Sequence, residues 1–500
     1  MAKRTAIIDI GSNSARLVIY ERTSRYGFHL ICEQKSRVRI GEGAYAKDGY
    51  LQPIGIDRAY LALQSFMQTT KKYSVHKILC VATSALRDAP NAKEFIQWIR
   101  RHLDLSIKVI DGVEEARLGA IAAKNLLPIR DGITIDIGGG SSDIALIEMG
   151  RVVETCSLDI GTVRVKELFT DRGASIDEAK AYIQKEIARL PDSFRSHLAI
   201  GIGGTARSLS RGIMKSSSYP IEKIHAFSYK VDKEMDYLLD IAHSSSDNLS
   251  NFNIKESRFD TIREGTLIFV EILNSIQAKE VITSGVGVRE GLFLKDLLRN
   301  SGLQFPKELN PSTRSILDRF DNLTPKSSSA SHRIKIASQL YSICHKEFSL
   351  SQEYHRVLDT ALRVSNIGKT LTIYKSREHA FYIAMAELNY GFTHQEMILV
   401  STLLRTYGNS ILKKSLYQPY RELLPPKESL KCLSFIYNLT ILIHENTNEA
   451  DIEFSYRDEV LTIRSNQSLY HALGSIVKLD KPYPFHIEVD DISRTPSYNF

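Results

Sequence analysis

The sequence is marked first by what it lacks. It contains no stretch of about 20 apolar residues, so no helical membrane span is expected. The opening residues, Met1-Ala2-Lys3-Arg4-Thr5-Ala6-Ile7-Ile8-Asp9, carry basic side chains but no long apolar leader core, because Asp9 interrupts it. Cysteine is scarce and dispersed: Cys32, Cys80, Cys156, Cys344 and Cys432, none at metal-ligand spacing. An odd, scattered set speaks against a disulfide framework or a cysteine-held metal, and fits reduced thiols in a cytoplasmic protein. A dominant charge of one sign is also missing. The net charge of +7 is mild on 500 residues, and any polyanion-binding patch would be local. No membrane or nucleic-acid partner is expected.

What is present is ordinary globular material, 43% hydrophobic and 25% charged, long enough for two to four domains. An internal echo stands out. Thr5–Tyr20 reads as an apolar strand, then Asp9-Ile10-Gly11-Ser12-Asn13-Ser14, then a second apolar strand. Ile133–Glu148 repeats the design around Asp136-Ile137-Gly138-Gly139-Gly140-Ser141-Ser142. Small residues permit a tight turn, and two hairpins of one design predict two related half-domains facing each other.

Alternating strand and helix patterns follow each hairpin. In the first half, helices are expected over 53–73, over Asn91–Leu103 and from near Glu114, with strands at Lys77–Val81 and Ile107–Ile110. In the second, Ile176–Leu190 and 261–277 read as helices and Leu198–Ile202 and Glu280–Thr283 as strands. After about residue 302, Pro306, Pro311, Pro325 and Ser327-Ser328-Ser329 read as a linker, followed by helical pattern to about 446 and short strands beyond 450. The expected division is 1–127, 128–302, 303–447 and 448–500.

Glycine-rich turns at strand ends expose backbone N–H groups that bind phosphate oxygens. Four are expected: Gly11–Ser14, Gly138–Ser142, Gly203–Thr205 and Gly285–Gly287. Asp9 and Asp136 end equivalent strands. A single such aspartate would cap its own turn, but two carboxylates meeting in one cleft repel unless a cation lies between them. Magnesium suits, since it takes oxygen ligands and shares them with substrate phosphates. Glu114 and Glu115 open a helix, where acidic residues complement the macrodipole by about 0.3–1 kcal/mol; the sharper alternative makes one of them a general base.

Together these segments resemble the exopolyphosphatase / guanosine pentaphosphate phosphohydrolase family, within the superfamily of actin, heat-shock chaperones and sugar kinases. The match covers about residues 4–300. Beside the two Asp-Ile-Gly turns it rests on 82–91 (ATSALRDAPN), Gly112-Val113-Glu114-Glu115-Ala116-Arg117-Leu118, Gly201–Thr205 and Ser284–Gly291. The resemblance implies an α/β fold: two actin-like (ribonuclease H-like) domains with a cleft between them, then an all-α HD-like domain and a small α/β C-terminal module. It implies Glu115 as catalytic base and Asp136 and Asp143 as metal residues, beside Asp9, whose metal role follows from the paired turns. Asp143 stands where the family usually has glutamate, a side chain longer by one methylene, about 1.5 Å of reach. Phosphate would be bound by Gly11, Ser12, Asn13, Ser14, Arg87, Gly138, Gly139, Gly140, Ser141, Gly203, Gly204 and Thr205, and Arg16 would approach a nucleotide.

The activity implied is magnesium-dependent removal of the terminal phosphate of inorganic polyphosphate, or of guanosine pentaphosphate, or both. A superfamily kinase and a non-catalytic guanosine polyphosphate sensor are remoter alternatives. A homodimer is a family expectation. Ser365-Asn366 stand where an HD domain would carry its His-Asp doublet, so the helical region is expected to extend the substrate channel and form a dimer contact rather than hold a second active site.

Overall fold

The computed structural model describes residues 3–44, 48–321, 329–406, 414–447 and 449–491. The linker residues Pro325 and Ser327-Ser328 lie outside them. The chain divides into two compact units: Met1–Pro311 with Asn389–Thr393, and Ser312–Leu388 with His394–Phe500.

The first unit holds two sheets built alike. Strands β1 (Lys3–Ile10), β2 (Ala15–Arg22), β3 (Phe28–Ser36), β4 (Lys77–Ala82) and β5 (Lys108–Val109) form a sheet of order β3-β2-β1-β4-β5. β1 pairs antiparallel with β2 and parallel with β4, so a hairpin side and a crossover side meet on β1. Ala6, Ile7 and Ile8 are fully buried, as expected of a central strand covered on both faces. Helices α1 (Pro53–Lys72), α2 (Ser84–Asp88) and α3 (Ala92–Leu103) belong to these crossovers. Pro53 opens α1, where its missing N–H costs nothing.

Helix α4 (Gly112–Leu126) follows. Asp111 caps it by accepting from the Glu114 amide, and two glutamates fill its first turn. Strands β6 (Gly132–Ile137), β7 (Ser142–Glu148), β8 (Arg151–Leu158), β9 (Leu198–Ile202), β10 (Ser228–Lys230) and β11 (Glu280–Thr283) form the second sheet, order β10-β11-β9-β6-β7-β8. Apart from the added edge strand β10, its order repeats the first. Helices α5 (Thr162–Leu168), α6 (Ile176–Ile187), α7 (Gly203–Ser216), α8 (Val231–His243), α9 (Ile262–Ser275) and α10 (Val288–Leu297) complete the unit.

Helix α4 is wedged between the sheets. Ala116, Ala120 and Ala123 pack with Ala145, Ile147 and Ile200 of the second sheet. Ile121 and Leu126 join Ile7, Val18 and Tyr20 of the first, together with Phe293 and Leu294 of α10. The small alanine face permits the close approach, and the larger face fills the remaining gap.

In the second unit, helices Ser329–Phe348 and Lys427–Glu445 pack together, and strands Ile452–Arg457, Val460–Ser465 and His486–Asp491 form a three-stranded sheet. Phe348 stacks on Tyr483 and Phe485 and meets Tyr456 of the first of these strands edge-on, and Phe435 meets Phe485 edge-on, so sheet and helices share one aromatic core. Ser365 donates its hydroxyl to Leu362 O at the turn after helix His355–Arg363. No helix of the described residues is long and apolar enough to cross a membrane.

Candidate active site

The two hairpin turns are built in the same way. Gly11 N donates to Ser14 O at 3.1 Å, and Gly138 N donates to Ser141 O at 2.9 Å. In both, the carbonyls are tied from behind. Arg39 N and Gly41 N donate to Asn13 O and Ser12 O; Thr162 N donates to Gly138 O, and Val163 N and Arg164 N donate to Gly139 O. The amides of Ser12, Asn13, Gly139 and Gly140 have no acceptor among the described residues. Such a row of unspent N–H groups is an anion cradle. The turns abut: a Cβ placed on Gly139 would lie 2.9 Å from Ser12 Cβ, closer than real side-chain contacts allow.

The third turn opens α7. Gly203 has φ +82°, and the Asp136 carboxylate occupies the space a Cβ would need, so glycine is required twice over. The fourth turn departs from expectation. Gly285 N donates to His225 Nδ1 at 3.0 Å, Val286 N to Ser284 Oγ at 3.3 Å, and Gly287 N to Glu290 Oε2 at 2.8 Å. Its amides are spent within the protein, so 285–287 is a structural corner and not a fourth phosphate cradle.

Four carboxylates gather between the turns. Asp136 on β6 faces Asp143 on β7 in the hairpin register, while Asp9 on β1 faces Arg16 on β2. Burial raises the Asp9 carboxyl above its ordinary range, against Arg289 and Arg16, which pull it back. Burial lifts Asp136 to about 6, with Arg207 opposing and the Asp9 charge adding. Asp143 is pushed up by burial to about 7, although hydroxyls of Ser157 (2.6 Å) and Ser141 (3.4 Å) donate to it. Glu115 is held well above the ordinary carboxylate range, first by burial and then by Asp143, Asp136 and Asp9, with Arg87 acting against them. Its side chain keeps 13% of its surface, enough for water to reach. Arg87 Nη1 lies 3.4 Å from Glu115 Oε2 and 3.4 Å from Ile110 O. Glu114 instead turns outward to Lys295.

Among the described residues, no three His, Cys, Asp or Glu side chains converge closely enough to form a metal cage by themselves. The donor set nevertheless suits magnesium, which needs only one or two carboxylates when substrate phosphates complete its shell. Asp9 and Asp136 fit best: neither carboxylate has a hydrogen-bond donor or ion-pair partner among the described residues.

Cations occupy the other side of the aspartates. Arg207 is held by Nε donating to Gly203 O at 2.8 Å, and burial followed by Arg289 and Arg16 lowers it to about 10. Arg16 and Lys35 face each other across β2 and β3, the Arg258 guanidinium lies 3.0 Å from where a Cβ of Gly204 would stand, and burial, then Arg16, Arg258, Arg37 and Arg207, lower the Lys35 ammonium. Arg289 bridges to Glu33 at 3.0 Å, and Glu290 accepts from Tyr20 Oη at 2.7 Å. The expectation from sequence named only Arg16 here. Arg289 lay within the Ser284–Gly291 segment, and Arg207 sits one helical turn after Gly203, but neither position signals a cleft without the tertiary fold.

A sequence profile of the Ppx/GppA phosphatase family matches residues 18–300. The chain belongs to this family. The crystal structure of the Aquifex aeolicus family member is 25% identical with a TM-score of 0.52, and the alignment covers 60% of this chain and 99% of that one. An exopolyphosphatase structure from Cytophaga hutchinsonii has a TM-score of 0.54 at 22% identity over 60% of this chain and 99% of that one, a likeness of fold alone. Both belong with the actin-like architecture expected from the sequence. A guanosine-5'-triphosphate,3'-diphosphate pyrophosphatase of Photobacterium profundum is 23% identical over 90% of this chain and 88% of its own length. A bifunctional 3-dehydroquinate synthase/phosphatase of Fusobacterium nucleatum is 30% identical over 56% of this chain, which spans 44% of that protein.

Proposed function

We propose that this family member hydrolyses the terminal phosphoanhydride bond of inorganic polyphosphate. One observation carries the reading: two turns with unspent amides meet beside unpartnered Asp9 and Asp136, with Glu115 in the same cluster. The terminal phosphoryl group lies between the turns, where the amides of Ser12, Asn13, Gly139 and Gly140 donate to its oxygens. Asp9 and Asp136 would hold magnesium, which when bound would neutralise charge on the phosphate oxygens. Glu115, with its raised proton affinity, orients water and takes its proton as the water oxygen attacks phosphorus and the bond to the leaving chain breaks. Asp143, bonded to two serines, is a support of the cluster and a weaker candidate for direct metal contact.

A second substrate is supported by the cation group. Arg207 and Arg258 stand at the third glycine turn and Arg16 faces Lys35 across β2 and β3, cations that suit a ligand carrying phosphate beyond the reacting chain, and the near-full-length Photobacterium relative is named for guanosine pentaphosphate chemistry. Phosphate release from polyphosphate, guanosine pentaphosphate and ATP, measured side by side with magnesium, is the test. Release from the first two is expected to exceed that from ATP; no release from either overturns the proposal.

A further inference from the structure

We propose that Arg164 is a positioning residue that sets the Arg87–Glu115 pair from the opposite half of the cleft. The inference rests on the hydrolytic reading above. Arg164 stands in the first turn of α5, on the second half. Its Nε donates to Gly140 O at 2.8 Å, and its Nη2 donates to Asp88 Oδ2 at 3.2 Å. Asp88 ends α2 on the first half, and its Oδ1 lies 3.5 Å from Arg87 Nε. Arg87 in turn reaches Glu115. A continuous polar chain therefore runs Gly140, Arg164, Asp88, Arg87, Glu115, crossing the cleft once at the Arg164–Asp88 bridge.

The planar guanidinium suits this task. It presents Nε to one partner and Nη2 to another in a fixed fork, which a lysine cannot do. The bridge is not a stability device. Asp88 keeps 36% and Arg164 18% of side-chain surface, and both line a cavity of about 260 Å³. A solvated pair of this kind adds little to stability. Its consequence is geometric: Asp88, drawn toward Arg164, offers its other oxygen to Arg87 and so fixes the cation that opposes the proton affinity of Glu115. Without the bridge, Arg87 can swing toward solvent with Asp88.

Arg164→Ala should lower kcat about tenfold, since displacement of a catalytic group by about 1 Å can cost up to 10². KM should change less than about threefold, and Arg164→Lys should recover part of the loss, because one of the two contacts survives. The decisive arm combines Arg164→Ala with Glu115→Gln. If Arg164 acts through Glu115, the double variant should be no slower than Glu115→Gln alone, within about twofold. A further tenfold loss in the double variant, or a rise in KM in place of the fall in kcat, would make Arg164 a support of the phosphate turn and overturn the proposal. A crystal structure of Arg164→Ala decides the matter independently of turnover. Arg87 displaced from Glu115 supports the proposal, and Arg87 unmoved sinks it. Wild-type protein without phosphate release from any substrate would remove the hydrolytic reading, and the structural arm would still report on the polar chain.

Discussion

Glu114 and Glu115 are neighbours on α4 with opposite surroundings. Glu114 pairs with Lys295, while Glu115 faces three carboxylates and Arg87. Glu115→Gln should preserve the fold and reduce phosphate release by about 10²–10⁴. Glu114→Gln removes an ordinary ion pair and should change the rate by less than about threefold, with about 0–1 kcal/mol lost from stability. Parallel rate and thermal-unfolding measurements on the two variants check both; comparable rate losses would mean that the pair is misassigned. The doublet was readable in the sequence as the start of a helix. Which member turned inward did not follow from the helix pattern and was named only by the family resemblance, because it depends on where α10 places Lys295.

At the level of elements, the expectation from sequence was nearest where periodicity and turn chemistry agreed. β9 and β11 fall where expected, α1 ends one residue early, and both hairpins form around the Asp-Ile-Gly turns. β5 shrinks to Lys108–Val109, and α6 stops at Ile187, short of Leu190. The fourth glycine turn misled because composition alone does not reveal whether an amide is already spent. His225, sixty positions earlier in the chain, takes the amide of Gly285. The wedged helix α4 was legible as a helix but not as the piece joining both sheets. Ile121 is buried on its larger face. Ile121→Ala should cost about 2–5 kcal/mol of stability, read from denaturant midpoints.

The carboxylate cluster gives the whole molecule a proton-linked stability. Asp136 and Asp143 titrate at about 6 and about 7 in the folded chain, above the ordinary 3.8. Between those limits the folded protein binds more protons than the unfolded one, so its stability should fall as pH rises through the window. On the proposed function, magnesium would replace those protons and restore it. The thermal shift on adding magnesium is therefore expected to be larger at pH 8 than at pH 5, and an equal shift at both would argue against carboxylate-held metal. The second unit has the reverse dependence. His444, whose ring nitrogen pairs with His332 at 3.1 Å, is lowered by burial and by Arg333 to about 4. Its share of stability is present above the ordinary 6.5 and is lost as pH falls toward 4. Replacing His444 with Gln should flatten this acid loss in pH-dependent unfolding.

The repeated hairpins carry one more consequence. Arg16 and Asp143 hold the same station in the two copies, each opposite the aspartate of its own turn. Doubling the frame without doubling that residue type broke its symmetry: a cation stands opposite Asp9 and a carboxylate opposite Asp136. On the proposed hydrolysis, a linear polyanion would meet different charge beside each turn, so its tip and its body would be told apart before any bond is cut. On the proposed hydrolysis, such asymmetry would favour attack at the end of a chain over attack anywhere along it.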